Sequence, residues 1–157
     1  MSGDGLPAVG LRLLDDRLTG WGFPRWGSAA AAGLDLHACL DGPLTLDPGA
    51  AAALIPAGFA VLIRDPAWCG LVFPRSGRGH RDGLILGNGT GVIDADYEGP
   101  LMISAWNRAA TPVRIEPGER IAQLVFTRVA RPSLTVLDAG QTGGSERGQG
   151  GFGSSGR

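Results

Sequence analysis

The sequence predicts an all-β sandwich or barrel, and three observations carry that expectation. Helical periodicity is nearly absent. Short apolar runs recur every 8–12 residues. Gly, Pro, Asp and Asn fill the gaps between them, where turns belong.

Each run has a local reason to be a strand. Residues 9–14 and Leu34-Asp35-Leu36-His37-Ala38 alternate apolar and polar, the period of a strand with one face inward. Residues 59–63 and 71–73 are continuous apolar runs, and the second is stopped by Pro74. Leu84-Ile85-Leu86 lies between two glycines, and Val113-Arg114-Ile115 between two prolines. Residues 101–106, 121–128 and 134–137 complete the set. Prolines 43, 48, 56, 66, 74, 100, 112, 117 and 132 are read as lying between strands, where a missing N–H costs no ladder bond. A short helical turn is expected over 76–81, and a loop over 18–32. There is no internal repeat.

A chain of 157 residues fits one domain and buries roughly two-thirds of its unfolded surface. The formal net charge of −1 gives no footprint for nucleic acid or a membrane surface. No apolar run nears the roughly 20 residues of a membrane span, and residues 1–5 carry no secretory-signal pattern. A cytoplasmic protein with Cys39 and Cys69 reduced is therefore expected. No Cys-x₂-Cys pair points to zinc, so His37, Cys39, Cys69 and His80 are not read as a metal site.

The sequence has no lysine; all 14 cationic side chains are arginine. Schiff-base chemistry on lysine and a P-loop are thereby excluded. Any anion must be held by arginines, hydroxyls and backbone amides. The segment 139–157 has eight glycines in 19 residues and almost no apolar content. It reads as a flexible arm following a 1–138 core.

Five segments, in order, resemble the five motifs of the trimeric dUTPase family. They are Ala32-Gly33-Leu34-Asp35-Leu36; Pro74-Arg75-Ser76-Gly77; the run 91–99 around Asp94 and Tyr97; Gly118-Glu119-Arg120-Ile121-Ala122-Gln123; and the glycine-rich run 147–156. The resemblance extends from about Leu11 to the C-terminus. It implies a distorted jelly-roll (β-clip) barrel and a homotrimer whose C-terminal arms are exchanged between subunits. It implies hydrolysis of dUTP to dUMP and pyrophosphate, which keeps uracil out of DNA and supplies dUMP for thymidylate synthesis. Mg²⁺ would be held by the triphosphate and waters, with no direct protein ligand.

The resemblance also distributes roles. Asp94 is the base that readies the attacking water. Tyr97 packs where a ribose 2′-hydroxyl would sit. Asn88 and backbone groups of its hairpin meet the uracil edge, and Val92, Ile93 and Met102 form the apolar wall. Arg75, Ser76, Gly77 and Gln123 hold phosphates, with Asp35 supporting the arginines or the metal-bound waters. Phe152 stacks on uracil, and Arg147, Gly153, Ser154 and Ser155 close over the phosphates. Arg78 departs from near members of the family, which have an apolar residue there, and 21–32 lacks the family's usual wording.

Three other readings stand beside this one. A dCTP deaminase of the same fold needs a glutamate where this chain has Ser104. A nucleotide-binding trimer without turnover is the non-enzymatic alternative. A serine hydrolase on Ser76 lacks the Gly-x-Ser-x-Gly elbow.

Overall fold

The computed structural model describes residues 6–138 and 140. Ten strands, β1 (Gly10–Leu13), β2 (Leu34–His37), β3 (Leu44–Leu46), β4 (Ala53–Leu62), β5 (Trp68–Pro74), β6 (Leu84–Leu86), β7 (Gly91–Ile93), β8 (Pro100–Asn107), β9 (Val113–Ile115) and β10 (Arg120–Arg128), form three sheets. Two are four-stranded, in the orders β1-β4-β8-β6 and β2-β10-β5-β7; the third pairs β3 with β9. Every pairing is antiparallel. The result is the all-β architecture that the apolar spacing called for, in the jelly-roll-like form that the family resemblance implied.

One core holds the two large sheets together. Ile55, Phe59, Leu101 and Ile103 from one meet Leu36, Val72, Ile121 and Leu124 from the other, all buried. Each such side chain contributes about 1.5–3 kcal/mol through removal from water. Alternation is visible in β8, where Leu101, Ile103 and Ala105 point inward and Met102 and Trp106 outward.

Several expectations need correction. Residues 134–137 form no strand: Leu134 is 90% and Val136 99% exposed, and among the described residues no strand pairs with them. Pro56 lies inside β4, tolerated because the pairing with β8 shifts register between Pro56 and Ala60. Pro74 and Pro100 sit at strand ends. Strands β3 and β7 were not among the strands expected from sequence; pairing with β9 and β5 defines them. The 18–32 segment holds part of a helical turn, α1 (Arg17–Gly20), whose Leu18 is fully buried, and a buried Phe23. The helical turn expected at 76–81 is present, continuing as a π-helical turn, Arg78–Asp82.

Among the described residues no helix is long and apolar enough to cross a membrane. Arg147, Phe152, Gly153, Ser154 and Ser155, to which the resemblance gives roles, lie outside the described residues.

Candidate active site

Sheet order gathers the first, second and fourth motifs. Asp35 on β2 is opposite Gln123 on β10, and Ala122 is opposite Pro74 at the end of β5. Arg75 then leaves the strand beside Asp35. The Asp35 side chain is only 8% exposed, with Oδ1 3.2 Å from Arg75 Nε. Its Oδ2 accepts a hydrogen bond from Arg120 Nη1 at 2.9 Å. Arg75 Nη1 also donates to the Arg120 carbonyl at 3.2 Å. A carboxylate this buried costs several kcal/mol unless paired, so two guanidiniums hold it and it holds them.

Gln123 Nε2 donates to the Pro74 carbonyl at 3.0 Å. Its Oε1 occupies the space a Cβ at Gly33 would take, which explains the bare residue in the first motif. Ser76 and Gly77 are exposed. A Cβ at Gly77 would meet no atom within 4 Å, so packing within the described chain does not demand glycine there. Arg75, Ser76, Gln123, Asp35, Gly33, Ala32, Ala31 and Gly27 line a cleft of about 260 Å³.

The third motif builds a second cleft, of about 250 Å³, lined by Val92, Ile93, Asp94, Tyr97, Pro100, Leu101 and Met102. Asp94 follows directly on β7 and is exposed. Among the described residues, nothing hydrogen-bonds or ion-pairs with its carboxylate. Its carbonyl accepts from the Tyr97 amide at 3.2 Å, which turns the chain. The Tyr97 hydroxyl donates to the Pro100 carbonyl at 2.9 Å, fixing a ring that is 43% exposed. Val92 and Met102 are 60% and 39% exposed, an apolar wall open to a ligand. Asn88 stands on the exposed β6–β7 turn, outside that cleft's lining. There the Gly89 amide donates to the Leu86 carbonyl, with Gly89 at φ +72°.

Within one chain the two clefts do not meet; they share no residue. Ile93 is opposite Gly70, so Asp94 continues toward Cys69, while Arg75 leaves the other end of β5. Six residues of strand separate those levels, about 20 Å.

The sequence reading assigned nothing to two residues that shape these clefts. Arg120 is the second partner of Asp35; a cation three residues before Gln123 on the same strand was the available signal. Gly99 seats Tyr97, since a Cβ there would stand 2.5 Å from the tyrosine hydroxyl. His37 is buried against the Trp21 and Phe23 rings, and burial lowers its pKa despite Asp35 nearby. Burial likewise pushes the Cys39 thiol up to about 11. Among the described residues no three His, Cys, Asp or Glu side chains gather as a metal site.

The profile of the dUTPase family matches residues 20–156. The deoxyuridine 5′-triphosphate nucleotidohydrolase of Xanthomonas campestris pv. campestris is 53% identical over 147 residues, covering 93% of this chain and 95% of the relative. The enzyme of that name from Xanthomonas oryzae pv. oryzae is 52% identical, covering 93% of each chain. Among solved structures, the dUTPase of Staphylococcus bacteriophage 80alpha with dUPNHPP superposes at TM-score 0.81, with 29% identity and coverage of 96% and 99%. The dUTPase of phage phi11 of S. aureus, in a structure describing coordination of a structural Mg(II) ion, gives 0.72, with 25% identity and coverage of 85% and 98%. A two-sheet β fold, clefts built from the motif residues, and identity above one half across nearly the whole length make this chain a member of the dUTPase family.

Proposed function

We propose that this chain hydrolyses dUTP to dUMP and pyrophosphate, with Asp94 as general base. The observation that carries the reading is the Asp94 carboxylate, without a polar partner among the described residues, at the rim of an apolar cleft beside the fixed Tyr97 ring. Water attacks the α-phosphorus, Asp94 takes its proton, and the bond to the bridging oxygen breaks as pyrophosphate leaves. Arg75, Ser76 and Gln123 hold the phosphate chain, and Asp35 keeps the arginines in place. Val92, Ile93 and Met102 flank the base, whose edge is met by Asn88 and its hairpin backbone.

Mg²⁺ fits this arrangement as an ion bound to the triphosphate and waters, because the Asp35 carboxylate is already held by two arginines. When bound it neutralises phosphate charge. Arg147, Phe152, Gly153, Ser154 and Ser155 complete the site in this reading, from an arm formed by 139–157.

The working unit is a homotrimer, with the Asp94 cleft of one subunit completed by the Arg75 cleft of another. The separation of the two clefts along β5 supports this. So does the outward face carrying Leu54, 68% exposed, and Trp106, 37% exposed. The free, buried Cys39 and Cys69 suit a reducing cytoplasm.

The test is incubation with dUTP, dCTP, dTTP and UTP plus Mg²⁺, with products identified. dUMP and pyrophosphate from dUTP alone are expected; ammonia from dCTP would favour the deaminase, and binding without turnover the non-catalytic trimer. A sharper prediction follows from Gly99. Gly99→Ala displaces the Tyr97 ring rather than the backbone, because the clash is with the side chain's far end. The kcat/KM preference for dUTP over UTP is expected to fall by ~10-fold or more, as steric exclusion of the 2′-hydroxyl relaxes. An unchanged ratio would remove Tyr97 from that role.

A further inference from the structure

We propose that Arg78 is a positioning residue for the triphosphate-binding cleft, tying the 74–77 turn to the 116–119 turn that leads into β10. The proposal rests on the assignment of Arg75 and Gln123 to phosphate binding above. Arg78 sits outside the cleft that holds those residues, and its side chain is 19% exposed.

Its guanidinium reaches three separate places. Nη1 donates to Asp82 Oδ2 at 2.7 Å, one turn along the π-helical segment. Nη2 donates to the Arg114 carbonyl on β9 at 3.0 Å. Nε lies 2.9 Å from Glu119 Oε1, an ion pair without hydrogen-bond alignment. The other Glu119 oxygen, Oε2, accepts from the Glu116 amide at 3.1 Å and so shapes its own turn. The Glu119 carbonyl accepts from the Ala38 amide at 2.8 Å, anchoring that turn to the end of β2.

These contacts close a ring. Glu119 is followed by Arg120, which holds Asp35 and whose carbonyl accepts from Arg75. Arg75 in turn accepts the Gly79 amide on its carbonyl at 2.8 Å, one residue beyond Arg78. The path Arg75, Asp35, Arg120, Glu119, Arg78 thus returns to its start. A closed ring resists sliding of one turn past the other; opened at Arg78, it leaves Arg75 held from the Asp35 side and by its own turn alone. An apolar residue at 78 could pack there, but could not make the charged link to Glu119.

The experiment compares wild type, Arg78→Leu, Arg78→Lys, Glu119→Gln and the Arg78→Leu/Glu119→Gln pair in the full chain. Pyrophosphate release with dUTP and Mg²⁺ gives KM and kcat, and calorimetry gives affinity for the α,β-imido analogue of dUTP and for deoxyuridine. Arg78→Leu is expected to raise KM and weaken analogue binding by ~3- to 10-fold, with kcat within about twofold and deoxyuridine binding unchanged. Arg78→Lys should recover part of the loss, and the double variant should be no worse than Arg78→Leu alone, because both open one link. Glu119→Gln probes the same link with Arg78 intact, so a folding defect in Arg78→Leu leaves the comparison usable. Unmoved KM and analogue affinity in both single variants, even with a lowered Tm, would overturn the proposal, as would additive effects in the pair. Wild-type protein that binds the analogue but releases no pyrophosphate would instead overturn the assigned reaction, while analogue affinity still reports on Arg78.

Discussion

Asp94→Asn is expected to lower kcat for pyrophosphate release by ~10²–10⁴ while leaving the fold intact. The side chain is exposed, and among the described residues nothing hydrogen-bonds or ion-pairs with its carboxylate. Replacing it therefore breaks no packing and no ion pair, and a substitution of that kind changes stability by about 0.5 kcal/mol or less. Asparagine keeps the size and one carbonyl oxygen, so water and nucleotide can still be seated. What it loses is the ability to take the proton. The expected pattern is a collapse of kcat with a nearly unchanged KM for dUTP and an unchanged Tm. A kcat reduced by less than about threefold would take the base assignment away from Asp94.

The second large effect is a recovery. Arg75→Ala and Asp94→Asn should each be nearly inactive alone, the first because the Asp35–Arg120 pair loses its third member and the phosphates lose a charge. Mixed by co-refolding, the two variants are expected to regain about one quarter of wild-type activity. The figure follows from a ring of subunits in which each site draws Asp94 from one chain and Arg75 from its neighbour. With equal random mixing, about one site in four receives both intact residues. If both residues came from the same chain, every site would carry one defect and mixing would restore nothing. Strand register favours the shared site: Asp94 lies toward the start of β5, beyond the Ile93–Gly70 pair, and Arg75 leaves its other end.

The Arg75 variant also separates charge from scaffold. Asp35 would remain paired with Arg120 at 2.9 Å, so one of its two partners survives. Losing both would leave an uncompensated buried carboxylate, a change that typically costs 3–5 kcal/mol. The single variant is thus a test of phosphate binding, whereas the loss of Asp35 would test folding as much as function.

Much of the molecule was legible in the linear sequence, for physical reasons. Alternation made β8 legible, with Leu101, Ile103 and Ala105 inward against Met102 and Trp106 outward, and the apolar run of β10 stood out by its length. Residue chemistry was equally visible, since the absence of lysine left arginine as the only permanent cation for phosphate. The five ordered segments named the family before any coordinates. Two three-residue strands, Leu84–Leu86 and Val113–Ile115, were legible between glycines and prolines, whereas Leu44–Leu46 and Gly91–Ile93, equally short, are defined by their pairing with β9 and β5. The false strand at 134–137 was not avoidable, since an apolar run looks the same whether or not a partner edge exists.

The sequence by itself determined the strand-rich character, the residue types available for chemistry and the motif order. Only the tertiary structure decided which of those residues share a cleft. Antiparallel pairing set Asp35 against Gln123 and brought Arg75 and Arg120 onto one carboxylate, across separations of 40 to 88 positions in the chain. The same pairing sent Asp94 to the far end of β5 and drew Arg78 onto Glu119. Contacts between residues so distant in sequence depend on sheet register, and register is fixed by which faces of all the strands are buried together.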